Sequence, residues 1–130
     1  MKIAVTSSAP DIEASMDGVF GRCGHFVIVD LETTEWEAFP NQAASSGGGA
    51  GIQAAQFVVS KGAETLITGN IGPNAFGVLS AAGVRAFSAL SGSVQQAIDD
   101  FKAGALTEIV SPNVGGHFGM GGGGRGRGRR

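Results

Sequence analysis

The sequence has a single cysteine, little positive charge in its main part and no long apolar run. One cysteine excludes a disulfide within the chain, and it excludes a metal site made only of cysteines from one chain. No run approaches the roughly 20 apolar residues that cross a bilayer, and the start MKIAVTSSAPD is unlike a signal peptide. We therefore expect a cytoplasmic protein with no membrane partner.

Positive charge is concentrated at the C-terminal end. The net charge is −2, and four arginines with no acidic residue lie in residues 115–130, so the rest of the chain carries −6. An acidic body is poorly suited to nucleic acid, although Arg-Gly repeats resemble segments that bind RNA. We expect no nucleic-acid partner.

Glycine is also unevenly distributed, with nine of the 23 glycines in the end segment GGHFGMGGGGRGRGRR. Such a segment cannot bury enough apolar surface to offset the entropy lost on ordering. The remainder has the length and the apolar content of one domain with a single core. We predict a folded domain over residues 1–113 and a disordered Gly/Arg-rich tail over residues 114–130.

The order of predicted elements indicates an α/β fold. Strands are predicted at residues 2–6, 26–31 and 36–39, and the last two of these form a hairpin. From residue 52 onwards, helical patterns that end at Gly62, Gly83 and Gly104 alternate with short β-favouring runs. This alternation implies parallel strands joined by right-handed crossovers. We predict a three-layer α/β/α domain with a mixed sheet of about five strands.

Glycine-rich segments follow the strands and precede the helices, where ligands bind in open α/β sheets. Glycine lets main-chain atoms approach a ligand closely, and the amides at a helix start favour an anion. Neither a P-loop nor a dinucleotide fingerprint is present. The alternative is that these segments are only flexible loops and turns. The candidate binding residues in them are Gly47, Gly48, Gly49, Gly51, Gly69, Asn70 and Gly72.

A second candidate feature is the segment GVFGRCGHF, which holds Cys23 and, two residues later, His25. Thiolate and imidazole suit copper, zinc and iron–sulfur species, but two donors do not complete a tetrahedral site. A preformed cluster or a metal shared by two chains fits them better. The alternatives are a small buried thiol and an inert histidine at a strand start. Arg22 is either a counter-charge or part of a surface ion pair, and His117 is either a further donor or a solvated residue.

Four stretches resemble the dinitrogenase iron–molybdenum cofactor-binding family over about residues 1–110: KIAVTS, FGRCGHFVIVD, GGGAGIQAAQFVVSKGAETLITGNIGPNAF and SVQQAIDDFKAG. The resemblance implies a ribonuclease H-like motif with a mixed five-stranded sheet. Members of that family carry the nitrogenase cofactor or its precursors, and one holds a molybdenum–copper sulfide cluster. Arg22 matches the family's Gly-Arg-x-x-aromatic pattern. Cys23-Gly24-His25 departs from it, because many members have residues like Ala-Pro-Tyr there.

The resemblance and the glycine loops together favour a non-catalytic carrier or scaffold for an anionic metal–sulfur cluster that contains molybdenum. The cluster would be the iron–molybdenum cofactor, a precursor or a molybdenum–copper type, and the partners would be cluster donor and acceptor proteins. Two alternatives are a metal-free regulatory module and a nuclease-like enzyme. The nuclease is disfavoured because Asp30 is the only acid in the first two strands. Both a monomer and a homodimer are compatible with the sequence.

Overall fold

The computed structural model describes residues 1–45, 49–89 and 91–113. The predicted tail, with His117, lies outside these residues, as do Gly47 and Gly48. The strands in the described part are β1 (Lys2–Ser7), β2 (His25–Asp30), β3 (Trp36–Pro40), β4 (Ala63–Thr68), β5 (Arg85–Ser88) and β6 (Thr107–Ile109). The helices there are α1 (Ala50–Ser60), α2 (Pro73–Ala81) and α3 (Val94–Lys102), with a short 3-10 helix at Gln42–Ser45.

The strands form one mixed sheet in the order β3-β2-β1-β4-β5-β6. β1, β4 and β5 are parallel, β2 runs antiparallel to β1 and β3, and β6 runs antiparallel to β5. The predicted α/β fold with a mixed sheet is confirmed. The sheet has six strands instead of about five, because the short run near the end of the domain pairs with β5, placing Ile109 opposite Ala86.

Apolar side chains pack on both faces of the sheet, so the fold has three layers. One face is covered by α1 and α2, whose Val58 and Leu79 share a cluster with Leu66 of β4. The other face is covered by α3, whose Ile98 packs in a cluster with Ile67. Neighbouring residues of a strand point to opposite faces, and because both faces are covered, β1 and β4 are buried almost throughout.

Local signals in the sequence mark the helix boundaries. The Ser93 side chain accepts a hydrogen bond of 3.0 Å from the Gln96 N–H at the start of α3, as a capping residue should. Each α-helix is followed by a glycine in the left-handed region, where a side chain is disfavoured. Within the described ranges, no helix has the length and apolar character that crossing a membrane requires.

The three parallel strands end at Ser7, Thr68 and Ser88, and the sheet edge at these residues is called the carboxyl edge below. His25, the first residue of β2, pairs with Ser7 and therefore starts at the same edge. The loops that precede α1 and α2 also begin there. The topology thus brings the predicted glycine-rich segments to one end of the molecule.

Candidate functional site

The loop between β1 and β2, residues 8–24, is bonded through its main chain to the loop after β4. The Asn70 N–H donates to the Gly18 carbonyl at 2.7 Å, and the Phe20 N–H donates to the Asn70 carbonyl at 3.0 Å. Val19 and Asn70 accordingly form an isolated parallel bridge. The two loops extend the pairing of the sheet beyond the carboxyl edge.

Two glycines permit this close contact. A Cβ atom on Gly69 would lie 2.6 Å from the Gly18 carbonyl oxygen, and a Cβ atom on Gly21 would lie 3.2 Å from the Gly51 Cα atom. Gly21 also has a φ of 91°, which disfavours other residues. The backbone of the 8–24 loop therefore lies directly against the backbone of its neighbours, and part of the glycine content serves this packing.

The first turns of α1 and α2 lie side by side at the carboxyl edge. A Cβ atom on Gly51 would be 3.3 Å from the Cβ atom of Ala75. Among the described residues, no side chain caps either start, whereas α3 is capped by Ser93. The first-turn N–H groups have no carbonyl partner within the helix, and together with the helix dipole they favour an anion.

Some of the amides predicted to bind a ligand donate hydrogen bonds within the protein instead. The main-chain and side-chain amides of Asn70 both point to the Gly18 carbonyl, at 2.7 and 3.3 Å, and the Ile71 N–H donates to the Asn113 side chain at 2.7 Å. Asn70 therefore positions the loops, and its role in binding a cofactor stays a prediction. Gly49 and Gly72 are the N-cap residues of α1 and α2, where ligand amides were predicted.

Cys23 is fully buried, in the cluster that also holds Phe20 and Phe26. Burial raises the pKa of its thiol to about 12, and the nearby negative charge of Asp17 adds to this effect. The thiol is therefore protonated at neutral pH. The loop folds this thiol into the core, as in the buried-thiol alternative. Metal ligation by Cys23 stays a prediction.

Asn41, which the sequence patterns did not single out, holds the Cys23 loop. Its side-chain amide donates to the carbonyls of Gly21 and Cys23 at 3.0 and 2.9 Å, and its Oδ1 accepts from the Ala43 N–H at 3.1 Å. Its main-chain N–H donates to the Gly24 carbonyl at 2.9 Å. The sequence feature that could have pointed to Asn41 is its position after Pro40 at a strand end, which is typical of a turn. Sequence spacing does not reveal the contact with residues 21–24.

His25 lies at the carboxyl edge between Ser7 and Pro40 of the neighbouring strands. Its Nδ1 atom is buried and has no hydrogen-bond partner among the described residues. Buried polar atoms are seldom left unpaired, so this nitrogen is an unused donor or acceptor next to the site. The metal-ligand role of His25 also stays a prediction.

Arg22 is exposed, and its guanidinium donates to the Ala44 carbonyl at 2.9 Å. This bond joins the 8–24 loop to the 3-10 helix that precedes α1. The Arg22 charge therefore lies on the same side of the molecule as the two helix starts. Arg22 has two predicted roles, and the structure is compatible with the role of a counter-charge that a main-chain carbonyl holds in place.

The described residues contain no group of three or more His, Cys, Asp or Glu side chains that could hold a metal ion. Asp30, the acid considered for nuclease chemistry, pairs with Lys2 at the opposite end of β2 from His25. Two-metal hydrolysis needs converging carboxylates. The described residues show no such convergence of three or more acidic side chains.

Comparison with known proteins gives a consistent set of similarities. Residues 1–104 match the family described as dinitrogenase iron-molybdenum cofactor. An uncharacterized protein of Methanocaldococcus jannaschii is 33% identical over 93 residues, 69% of this chain and 79% of that protein. The apo form of the orange protein from Desulfovibrio gigas is 39% identical with a TM-score of 0.83, over 86% of this chain and 95% of that one. A Thermotoga protein described as belonging to the DUF35 family is 38% identical with a TM-score of 0.76, over 85% of this chain and 94% of that one.

Gly69→Ala should lower the free energy of unfolding by about 1–3 kcal/mol, because the added Cβ atom meets main-chain atoms that must shift. Gly77→Ala is the matched control: Gly77 lies in α2, a Cβ atom added there would meet nothing within 4 Å, and alanine should stabilise the helix by about 0.5–1 kcal/mol. Urea unfolding of both variants measures the difference. Equal stabilities would contradict the close contact between the loops.

The Cys23 thiol should react with a disulfide reagent at pH 8 at least about 100-fold more slowly in the folded protein than in urea, because it is buried and protonated.

The folded pKa of the Cys23 thiol, about 12, lies above the roughly 8.5 of an exposed thiol. Burial of the neutral thiol therefore contributes fully to stability below about pH 8.5, and this contribution is lost as the pH rises towards 12. Cys23→Ala should flatten that pH dependence, and an unchanged slope would be evidence against the raised pKa.

Asn41→Asp should destabilise the protein by about 1–3 kcal/mol and speed the reaction of Cys23, because a carboxylate cannot donate to the carbonyls of Gly21 and Cys23. Asn74→Asp makes the same chemical change at an exposed position in the first turn of α2, where it should be neutral or stabilising. Thermal unfolding and thiol labelling test both variants. Normal labelling of Asn41→Asp would contradict its role in closing the loop.

Proposed function

Because the chain belongs to the dinitrogenase iron–molybdenum cofactor family, we propose that it is a non-catalytic carrier or scaffold for an anionic metal–sulfur cluster. The proposed cargo contains molybdenum and is the iron–molybdenum cofactor, a precursor or a molybdenum–copper sulfide. Its partners are the proteins that donate the cluster and accept it. The cluster is cargo, so no catalytic group is required of this chain.

The observation that carries the proposal is the contact between two uncapped helix starts at the carboxyl edge. Each start contributes about half a positive charge and several N–H donors. Hydrogen bonds from main-chain amides to sulfur are one way in which proteins stabilise metal–sulfur clusters. A cluster with charge spread over several sulfides suits two adjacent groups of weak donors better than a single small ion does.

Specific residues then take specific roles. Gly49, Gly51 and Gly72 keep side chains away from the two helix starts, and the segment before α1 that holds Gly47 and Gly48 adds further main-chain donors. Arg22 supplies counter-charge. His25 offers its unpaired Nδ1 atom, and His117 is a second imidazole candidate.

Cys23 ligates the cluster only if residues 18–24 move outwards and the thiol loses its proton. Both changes are unfavourable in the conformation described, because the thiol is buried and its pKa is raised. We therefore propose that the first binding step is electrostatic and uses amides and Arg22. Ligation by Cys23 is a separate question, which the same experiment addresses.

The test is anaerobic incubation with tetrathiomolybdate and copper(I), followed by gel filtration and visible spectroscopy. The protein should retain a coloured species, and Arg22→Gln should weaken its binding about tenfold, the effect of losing one charge-assisted contact. Arg85→Gln is the matched control, since it removes the same charge at a site where Arg85 is paired with Glu108, 2.7 Å away. That variant should bind normally.

Several outcomes would decide against this function. Absence of a retained species, with tight binding of molybdate or phosphate instead, would favour the metal-free module. If Arg22→Gln and Arg85→Gln weakened binding equally, the effect would come from the net charge of the protein and not from the position of Arg22. Cys23→Ala should lower stability and leave the spectrum unchanged if binding is electrostatic, whereas a shifted charge-transfer band would identify Cys23 as a ligand.

A further inference from the structure

The strand β3 forms one edge of the sheet, and its outer side pairs with no other strand of the described chain. Its pairing with β2 alternates between hydrogen-bonded and non-bonded residues, as in other antiparallel pairs. The Glu35 carbonyl accepts a hydrogen bond of 2.9 Å from the Asp30 N–H, so every second residue after Glu35 directs its main chain towards β2. The residues between them direct their main-chain groups outwards, and these are Trp36, Ala38 and Pro40.

The outer side of β3 therefore offers main-chain donors and acceptors to a further strand. The N–H groups of Trp36 and Ala38 point outwards, and so do the carbonyls of both residues and of Pro40. Trp36 is also a large apolar side chain that is 39% exposed. The other edge of the sheet, β6, has only three residues, and its central residue Glu108 is bonded to Arg85. Of the two edges, β3 is the more suitable for adding a strand.

A second copy of β3 can pair antiparallel with the first about a two-fold axis in two registers, each with four main-chain hydrogen bonds. In the register centred on Glu37, each Glu37 lies opposite its own copy, and like charges directly opposite each other are destabilising. In the register centred on Ala38, Glu37 lies opposite Phe39 of the second copy, and Trp36 lies opposite Pro40. Charge therefore selects the register centred on Ala38.

The selected register also brings opposite charges together. The Lys61 ammonium lies 4.3 Å from the centre of the Phe39 ring of its own chain, and it forms no ion pair within the described residues. Glu37 is exposed and likewise has no ion pair there. Opposite residues of an antiparallel pair point to the same face, with Cβ atoms about 5 Å apart. Glu37 of one copy therefore reaches Lys61 of the other, and the two-fold axis makes this contact twice.

We propose that β3 is the surface through which two copies of this chain associate, so that their sheets join into one continuous sheet. The charge pairs between Glu37 and Lys61 fix the register, and Trp36 packs on Pro40 of the second copy. β3 ends at the carboxyl edge, where Pro40 pairs with His25. Antiparallel pairing therefore directs the carboxyl edges of the two copies in opposite directions, which leaves both candidate sites open. The inference does not depend on the proposed function.

The experiment is sedimentation velocity of the full-length protein over a range of concentrations, at low salt so that exposed charges are not screened. We expect a reversible dimer with a Kd of about 50 µM, because an interface this small is weak. Glu37→Lys and Lys61→Glu should each weaken association at least about tenfold, because each places like charges at both contacts. Glu64→Lys is the matched control: it makes the same change of charge in β4, which two strands separate from β3, and it should associate normally.

An equimolar mixture of the two weakened variants gives the sharpest test of the register. In a pair with one Glu37→Lys chain and one Lys61→Glu chain, both contacts again join opposite charges, so the mixture should associate like the unaltered protein. Ala38→Pro tests the main-chain pairing, because it removes the N–H at the two-fold axis and should also weaken association about tenfold. That N–H faces away from β2, so this variant should keep its fold, which circular dichroism checks.

Several results would overturn the inference. The unaltered protein could remain a monomer at the highest concentration, or the two single charge variants could associate as well as the control. A mixture of these variants that stays monomeric would exclude the register, and normal association of a folded Ala38→Pro variant would exclude main-chain pairing at β3. Retention of the cluster probe is a separate measurement, so failure of this inference and failure of the proposed function are distinguishable.

Discussion

The site depends on a direct contact between main chains, in which the loop after β1 lies on the loop after β4 with no side chain between them. Gly69 permits this approach, and the hydrogen bonds between Gly18, Phe20 and Asn70 make it specific. Next to it, the start of α1 packs directly on the start of α2 at Gly51 and Ala75. The same loop lies against the start of α1 at Gly51 through Gly21, and it carries the buried thiol of Cys23.

The same contact divides the glycine-rich amides into two groups. One group is used inside the protein, as at Asn70 and Ile71, and serves to hold the loops together. The other group, at the first turns of α1 and α2, is left without a side-chain cap within the described chain. Only the second group is suited to an external anion. These amides are the ones that the proposed function assigns to the cluster, and the chain belongs to the dinitrogenase iron–molybdenum cofactor family.

Two asparagines have parallel roles at the two sides of the site. Asn41 uses both ends of its amide to close residues 21–24, and Asn113 uses both ends to hold residues 69–71. An amide can donate and accept at once, so each side chain pairs with main-chain N–H and C=O groups of the loops around it. Asn113 also donates its main-chain N–H to the Ile71 carbonyl, so the last described residue of the chain lies beside the loop that leads into α2.

The sequence alone determined the elements that depend on local chemistry. Apolar periodicity, the Ser93 cap and the glycines after each helix predicted the α/β fold, and the family resemblance agreed with it. The sequence also indicated that the glycine-rich segments lie at one edge of the sheet, because the carboxyl ends of parallel strands lie together. Only the tertiary structure decided that Cys23 is buried and that Asn70 serves the loops, since burial and hydrogen bonding depend on segments distant in sequence, such as the one that holds Asn41.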